Sequence, residues 1–132
     1  MSAKQFEDLP VWRDSRVLVN EISRIGKKST FSKKYSFRNH LERTAISIMA
    51  NIAEGYERDG DNEFAQFLSQ AKGSAGELRS HLYVALDLDF IGTEEFNSIS
   101  QKVISISKQL SALISYIRGS KVGGRKFKRD SS

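Results

Sequence analysis

The chain contains no cysteine and a single proline, Pro10. Without cysteine there are no disulfides, no thiolate metal ligands and no thiol nucleophile, a usage that suits a reducing cytoplasm. With so little proline, almost nothing interrupts a regular backbone beyond residue 10. Long apolar runs are missing too. No stretch approaches the ~20 residues needed to cross a bilayer, and the N-terminus lacks the apolar core of a signal peptide. A cytoplasmic location is the expectation. Histidine is scarce, at His40 and His81, and neither belongs to an arrangement resembling a hydrolytic triad. Glu77 and His81 stand four apart on one helix, but a single such pair is thin support for a metal. The inward Glu-x-x-His pairs of di-iron bundles do not occur. Gly123-Gly124-Arg125-Lys126 has neither the spacing of a phosphate-binding loop nor a following helix. These absences lead to the expectation of no enzymatic activity, no cofactor and no metal.

What is present is helical pattern and positive charge. The 132 residues suffice for one domain with one core. Val11, Ser15, Leu18, Ile22 and Ile25 recur at alternating steps of four and three, widened by Trp12 and Val19, and predict a helix over 9–27. Asp8 is a candidate cap, and Pro10 fits the first turn. Gly26 with Lys27 and Lys28 suits a C-terminus. A connection follows, with Phe31 and Tyr35 as expected anchors onto the bundle end. Ser36 is the candidate cap of a second helix over 36–57, whose stripe is Phe37, Leu41, Ala45, Ile48 and Ile52. After the turn at 58–61, Asp61 is the candidate cap of a third helix over 61–89. Its seam is Phe64, Leu68, Ala71, Ala75, Leu78, Leu82 and Ala85. Thr93 is the candidate cap of a fourth, over 93–119, with seam Phe96, Ile99, Val103, Ile106, Leu110, Leu113 and Ile117. Four long helices with short connections predict an all-α, antiparallel up-down-up-down four-helix bundle over residues 1–119. Residues 120–132, rich in Gly, Ser and Lys, predict a basic, disordered tail.

The net charge of +5 comes from 21 basic and 16 acidic residues, and it is unevenly placed. The tail holds Lys121, Arg125, Lys126, Lys128 and Arg129 against Asp130. Residues 24–38 hold Arg24, Lys27, Lys28, Lys33, Lys34 and Arg38 with no acid, and Phe31, Tyr35 and Phe37 lie among them. This asymmetry points to an acidic partner, of which nucleic acid is the commonest. The plainer reading is a solvated basic surface, with the aromatics packing the connection onto the bundle. No device for base-specific readout is visible, so any nucleic-acid contact should be to backbone and shape.

Three sets of residues carry a family resemblance: Phe6-x-x-Leu9-x-Val11-Trp12; Arg43-x-Ala45-x-Ser47-Ile48-x-x-Asn51-Ile52-Ala53-Glu54-Gly55; and Phe64-x-x-Phe67-Leu68-x-x-Ala71-x-Gly73-Ser74-x-x-Glu77-Leu78. Over residues 6–91 the chain resembles the bacterial four-helix bundle proteins, also called the 23S rRNA intervening-sequence protein family. It departs from the family pattern at His40, where Gln is usual, and at Glu42, where a basic residue is usual. The resemblance implies a four-helix bundle assembled as a barrel-shaped homopentamer, with no enzymatic activity. It also implies a genetic setting, inside 23S rRNA genes or elsewhere. A related branch is the accessory protein of diversity-generating retroelements, which partners a reverse transcriptase and binds nucleic acid. Two functional readings follow. The first is an oligomeric bundle that binds nucleic acid, structured RNA above all, through its basic surface and tail. The alternative is a protein-interaction scaffold such as a reverse-transcriptase accessory subunit.

The remaining polar residues read as assembly features. Arg43, Ser47, Asn51, Glu54 and Arg58 share one face of the second helix, and Gln66, Gln70, Gly73 and Glu77 share one face of the third. They suit either a polar groove or a hydrogen-bonded layer in which Arg43 and Arg58 pair with Glu54 or Glu77. Gly73 and Gly76 each cost a helix about 1 kcal/mol relative to Ala, and close helix approach is the expected compensation. Trp12, Val19, Phe67 and Leu86 lie off the main seams, which predicts apolar surface for a homo-oligomer.

Overall fold

The computed structural model describes residues 2–28, 34–119 and 128–129. The periodic apolar positions wind into four helices: α1 Pro10–Gly26, α2 Tyr35–Glu57, α3 Asp61–Asp87 and α4 Thr93–Gly119. The expected seams of α1, α3 and α4 are buried throughout, as are Leu41, Ala45, Ile48 and Ile52 of α2. Fully burying a Leu, Ile or Phe side chain contributes about 1.5–3 kcal/mol, so the joint seam is the main source of stability.

Neighbours in sequence are neighbours in space, and α1 closes the ring against α4. Side-chain pairs give the directions. Between α2 and α3, His40 meets Glu77, Ser47 meets Ser74 and Gly55 meets Phe67, so one index rises as the other falls. Between α1 and α4, Asp14 pairs with Gln109, Glu21 with Lys102 and Lys28 with Glu95. Those partners step by seven residues along α4 and along α1 and the two residues after it, which is the heptad register of antiparallel bundle packing. The molecule is an antiparallel up-down-up-down four-helix bundle.

Several ends are built differently from the sequence expectation. Asp8 does not cap α1. It accepts backbone N–H bonds from Lys4 (3.0 Å) and Gln5 (3.3 Å), holding a single 3-10 turn over Phe6–Asp8, and the N-cap of α1 is Leu9. Arg13 then donates to the carbonyls of Glu7 and Asp8, at 2.9 Å each. The N-caps of α2 and α3 are Lys34 and Gly60, so Ser36 and Asp61 sit inside their helices. At α4 the Gly92 carbonyl accepts the first helical bond, and Glu95 reaches back to the Gly92 N–H at 3.4 Å. Helix α3 stops two residues before the expected Asp89, because Asp89 adopts φ 62°. Its N–H bonds the Leu86 carbonyl and that of Phe90 bonds Ala85, the paired bonds of a Schellman cap.

The glycines also redistribute. Nothing lies within 4 Å of a Cβ added at Gly73 or Gly76, so close helix approach is not their role within the chain. That role belongs to Gly55, where an added Cβ would sit 2.7 Å from the Phe67 Cβ and 3.1 Å from a Phe64 ring carbon. Of the off-seam residues, Trp12, Val19 and Leu86 are partly buried against the core, and Phe67 is half-buried under the Arg58 guanidinium. Trp12 makes an edge contact with Phe6, centroids 5.1 Å apart. Of the tail, which is expected to lack regular structure, Lys128 and Arg129 instead pair in parallel with Ser2 and Ala3 as two-residue strands β2 and β1. Extended backbone at Ser2–Ala3 offers ladder groups, and Tyr56 fixes that segment by donating its hydroxyl to the Ala3 carbonyl at 2.7 Å.

Candidate nucleic-acid interface

The antiparallel order brings the C-terminus of α1 and the N-termini of α2 and α4 to one end of the bundle. That end gathers five of the six cations expected from residues 24–38. Arg24, Lys27, Lys28 and Lys34 are exposed, and Arg38 is half-buried. Lys33 and Phe31 fall outside the described residues, as do Lys121, Arg125 and Lys126 of the tail.

The cations are not equally available. Lys28 pairs with Glu95 of α4, and Arg24 lies 3.8 Å from Glu21. Glu94 and Glu95 occupy the first turn of α4, where the helix dipole favours acids. The linear segment has no acid, but the fold places these two beside it. Arg38 is committed as well. Its stem fills the space over Gly26, where an added Cβ would come within 2.7 Å of the Arg38 Cγ, and its guanidinium donates to the Gly26 carbonyl at 3.3 Å. Gly26 is therefore small because Arg38 crosses it. Lys27 and Lys34 remain as exposed cations at the junction of α1 and α2.

The aromatics divide in the same way. Phe37 is the anchor, packed against Phe90 and His81 at centroid distances of 5.8 and 6.2 Å. Tyr35, expected to anchor the connection, is 65% exposed instead. The Arg38 guanidinium lies 5.3 Å from its ring centre, within cation–π range. The N-cap residue Lys34 makes no side-chain cap, which leaves the first amide groups of α2 beside these cations.

The second helix face predicted to hold polar residues separates into a half-buried layer and an exposed rim. Ser47 and Ser74 hydroxyls lie 3.0 Å apart across α2 and α3, and Asn51 donates to the Ser47 carbonyl at 2.9 Å. At the rim Glu54 pairs with Arg58 at 2.9 Å, and Arg43 is exposed. Arg58 also covers the Phe67 ring at 5.0 Å. Glu77 takes neither arginine as its partner; it faces His40 at 3.3 Å. The sequence alone offers His40 no partner, because its neighbours come from another helix. The signal was a register relation, with Leu41 on the α2 seam and Leu78 on the α3 seam placing His40 and Glu77 side by side.

The fold and this end define a class: an antiparallel four-helix bundle that presents cations and an exposed aromatic at one pole. The family model described as 23S rRNA-intervening sequence protein matches residues 7–112, and the chain belongs to that family. The chain is also similar to the crystal structure, at 1.70 Å, of a protein with unknown function from the S23 ribosomal protein family of Bacteroides thetaiotaomicron VPI-5482. The identity is 23%, the TM-score 0.72, and the match covers 79% of this chain and 97% of that one. At that identity the likeness concerns the fold. No curated protein matches the chain. Among the described residues, no helix is long and apolar enough to cross a membrane.

Proposed function

We propose that this protein is a non-enzymatic, oligomeric four-helix bundle that binds nucleic acid, with structured RNA as the ligand class, through backbone contacts at its basic pole. The observation that carries this reading is the group around Tyr35. An aromatic ring 65% open to solvent stands beside the Arg38 guanidinium, with Lys34 exposed one residue before it and Lys27 exposed at the end of α1. A base can stack on such a ring while phosphates meet the cations, without sequence readout. The Lys34 side chain makes no cap bond at the start of α2, and amide donors at a helix N-terminus suit a phosphate. The family description, which refers to the intervening sequence of 23S rRNA, supports RNA over other polyanions.

Oligomerisation is the second part of the reading. Ile46 of α2, Tyr83 and Val84 of α3, and Leu88 just past the end of α3 are exposed large apolar side chains. Repetition of the basic pole around a ring would combine weak contacts through effective concentration. Filter binding with a structured RNA at low salt tests the proposal. Retention that weakens steeply as salt rises supports it. Absence of retention, or retention unchanged at about 0.5 M salt, removes it.

A further inference from the structure

We propose that His40, Glu77 and His81 form a binding site for a borderline divalent transition metal, with Zn2+ as the representative ion. The site draws on two helices. Glu77 and His81 lie one turn apart on α3, and His40 projects from the antiparallel α2. One ligand atom from each of the three lies within 4.8 Å of the others. His40 Nε2 stands 3.3 Å from a Glu77 carboxylate oxygen, and the two imidazole centroids are 4.7 Å apart. Ligands at Zn–N and Zn–O distances of about 2.0–2.1 Å on a tetrahedron are separated by roughly 3.3 Å. The His40–Glu77 pair is already at that separation. The three ligand atoms already lie within 4.8 Å of one another, so closing the set calls for side-chain rotation at His81.

The second shell supports the same reading. His81 Nδ1 lies 2.8 Å from the Glu77 main-chain carbonyl. A carbonyl only accepts, so Nδ1 carries the hydrogen, and in the neutral ring the lone pair is left on Nε2. Donation of the non-ligating ring N–H to a carbonyl is the usual way in which a metal-binding histidine is oriented. The carboxylate supplies one negative charge toward the ion. Two imidazoles and one carboxylate suit Zn2+, Co2+, Ni2+ or Cu2+, and disfavour Mg2+ and Ca2+, which take oxygen ligands. His40 and Glu77 are each about half exposed, with side-chain values of 49% and 50%, so an ion enters without unfolding and water can take the fourth position. A bound ion would clamp α2 to α3. The alternative for these contacts is a metal-free His–carboxylate pair on the surface.

The test is titration of the full-length, chelator-treated protein with ZnCl2 against a chromophoric zinc indicator, beside the variants H40Q and H81Q. Circular dichroism of the metal-free variants checks that they fold, which their surface position favours. The expected result is one Zn2+ per chain, with affinity lower by at least ~10-fold in each variant. Zn2+ should also raise the thermal midpoint of the parent chain and leave those of the variants in place. Co2+ should give visible absorption of tetrahedral strength only in the parent chain. No saturable binding at one ion per chain, or unchanged affinity in either variant, would overturn the site.

Discussion

Gly55 and Phe67 face each other across α2 and α3 so closely that a Cβ on the glycine would lie 2.7 Å from the Phe67 Cβ. The neighbouring Phe64 backbone carbonyl, 3.3 Å from the same point, cannot swing aside as a flexible side chain could. Gly55→Ala should therefore destabilise the bundle by about 1–3 kcal/mol through overpacking. The urea midpoint of the variant measures this. An unchanged midpoint would mean that the helices separate there without penalty.

Gly73 and Gly76 should behave in the opposite way. Their added methyl groups meet open space within the chain. Alanine at either position should raise the stability of the isolated bundle by up to about 1 kcal/mol, since it removes backbone freedom from the unfolded chain. Urea unfolding at low protein concentration reads this. If alanine instead weakens self-association in light scattering, these glycines face a neighbouring copy. A mass of 14.9 kDa at micromolar concentration, that of one chain, would count against the oligomer altogether.

Asp89 holds a left-handed conformation at the end of α3, with φ 62°. Glycine adopts that region without the Cβ penalty, and it is the preferred residue at this point of a Schellman cap. Asp89→Gly should stabilise the protein by roughly 0.5–1 kcal/mol, read as a rise in the thermal midpoint. A fall would show that the Asp89 side chain contributes more than its backbone conformation costs.

The heptad ladder between α1 and α4 is also measurable. Glu21 is the most enclosed of its charged members, with a side chain 16% exposed and its carboxylate 2.7 Å from the Lys102 ammonium. A double-mutant cycle on Glu21 and Lys102 should give a coupling of about 0.5–1 kcal/mol that shrinks at high salt. Lys28 and Glu95, the more exposed pair, should couple less. Equal coupling in both pairs would contradict the burial argument.

The seams of all four helices were legible in the sequence because burial on one face imposes a period that the order of apolar residues displays. Phe64 through Ala85 on α3 is the clearest case. The caps were not legible in the same way. Asp8, Ser36 and Asp61 are all good capping residues, yet the chain leaves helical geometry at Leu9, Lys34 and Gly60. Which residue turns outward depends on how the preceding segment is tied down, as Lys4 and Gln5 are by Asp8. Partners across helices were the least legible. Lys28 meets Glu95 and His40 meets Glu77 only once the antiparallel register is set. The basic pole was visible as a charge run, but its partial neutralisation by α4 was not.

Lys27 and Lys34 are the exposed cations on which nucleic-acid binding at the basic pole most directly depends. The decisive measurement is fluorescence anisotropy of a labelled structured RNA against salt, for the parent chain and for the double variant Lys27→Ala/Lys34→Ala. The account predicts a linear fall of log affinity with log salt, and a slope smaller by about 1–2 in the double variant, one unit per lost phosphate contact. An identical slope in the two proteins, or no binding by the parent chain at low salt, would contradict it.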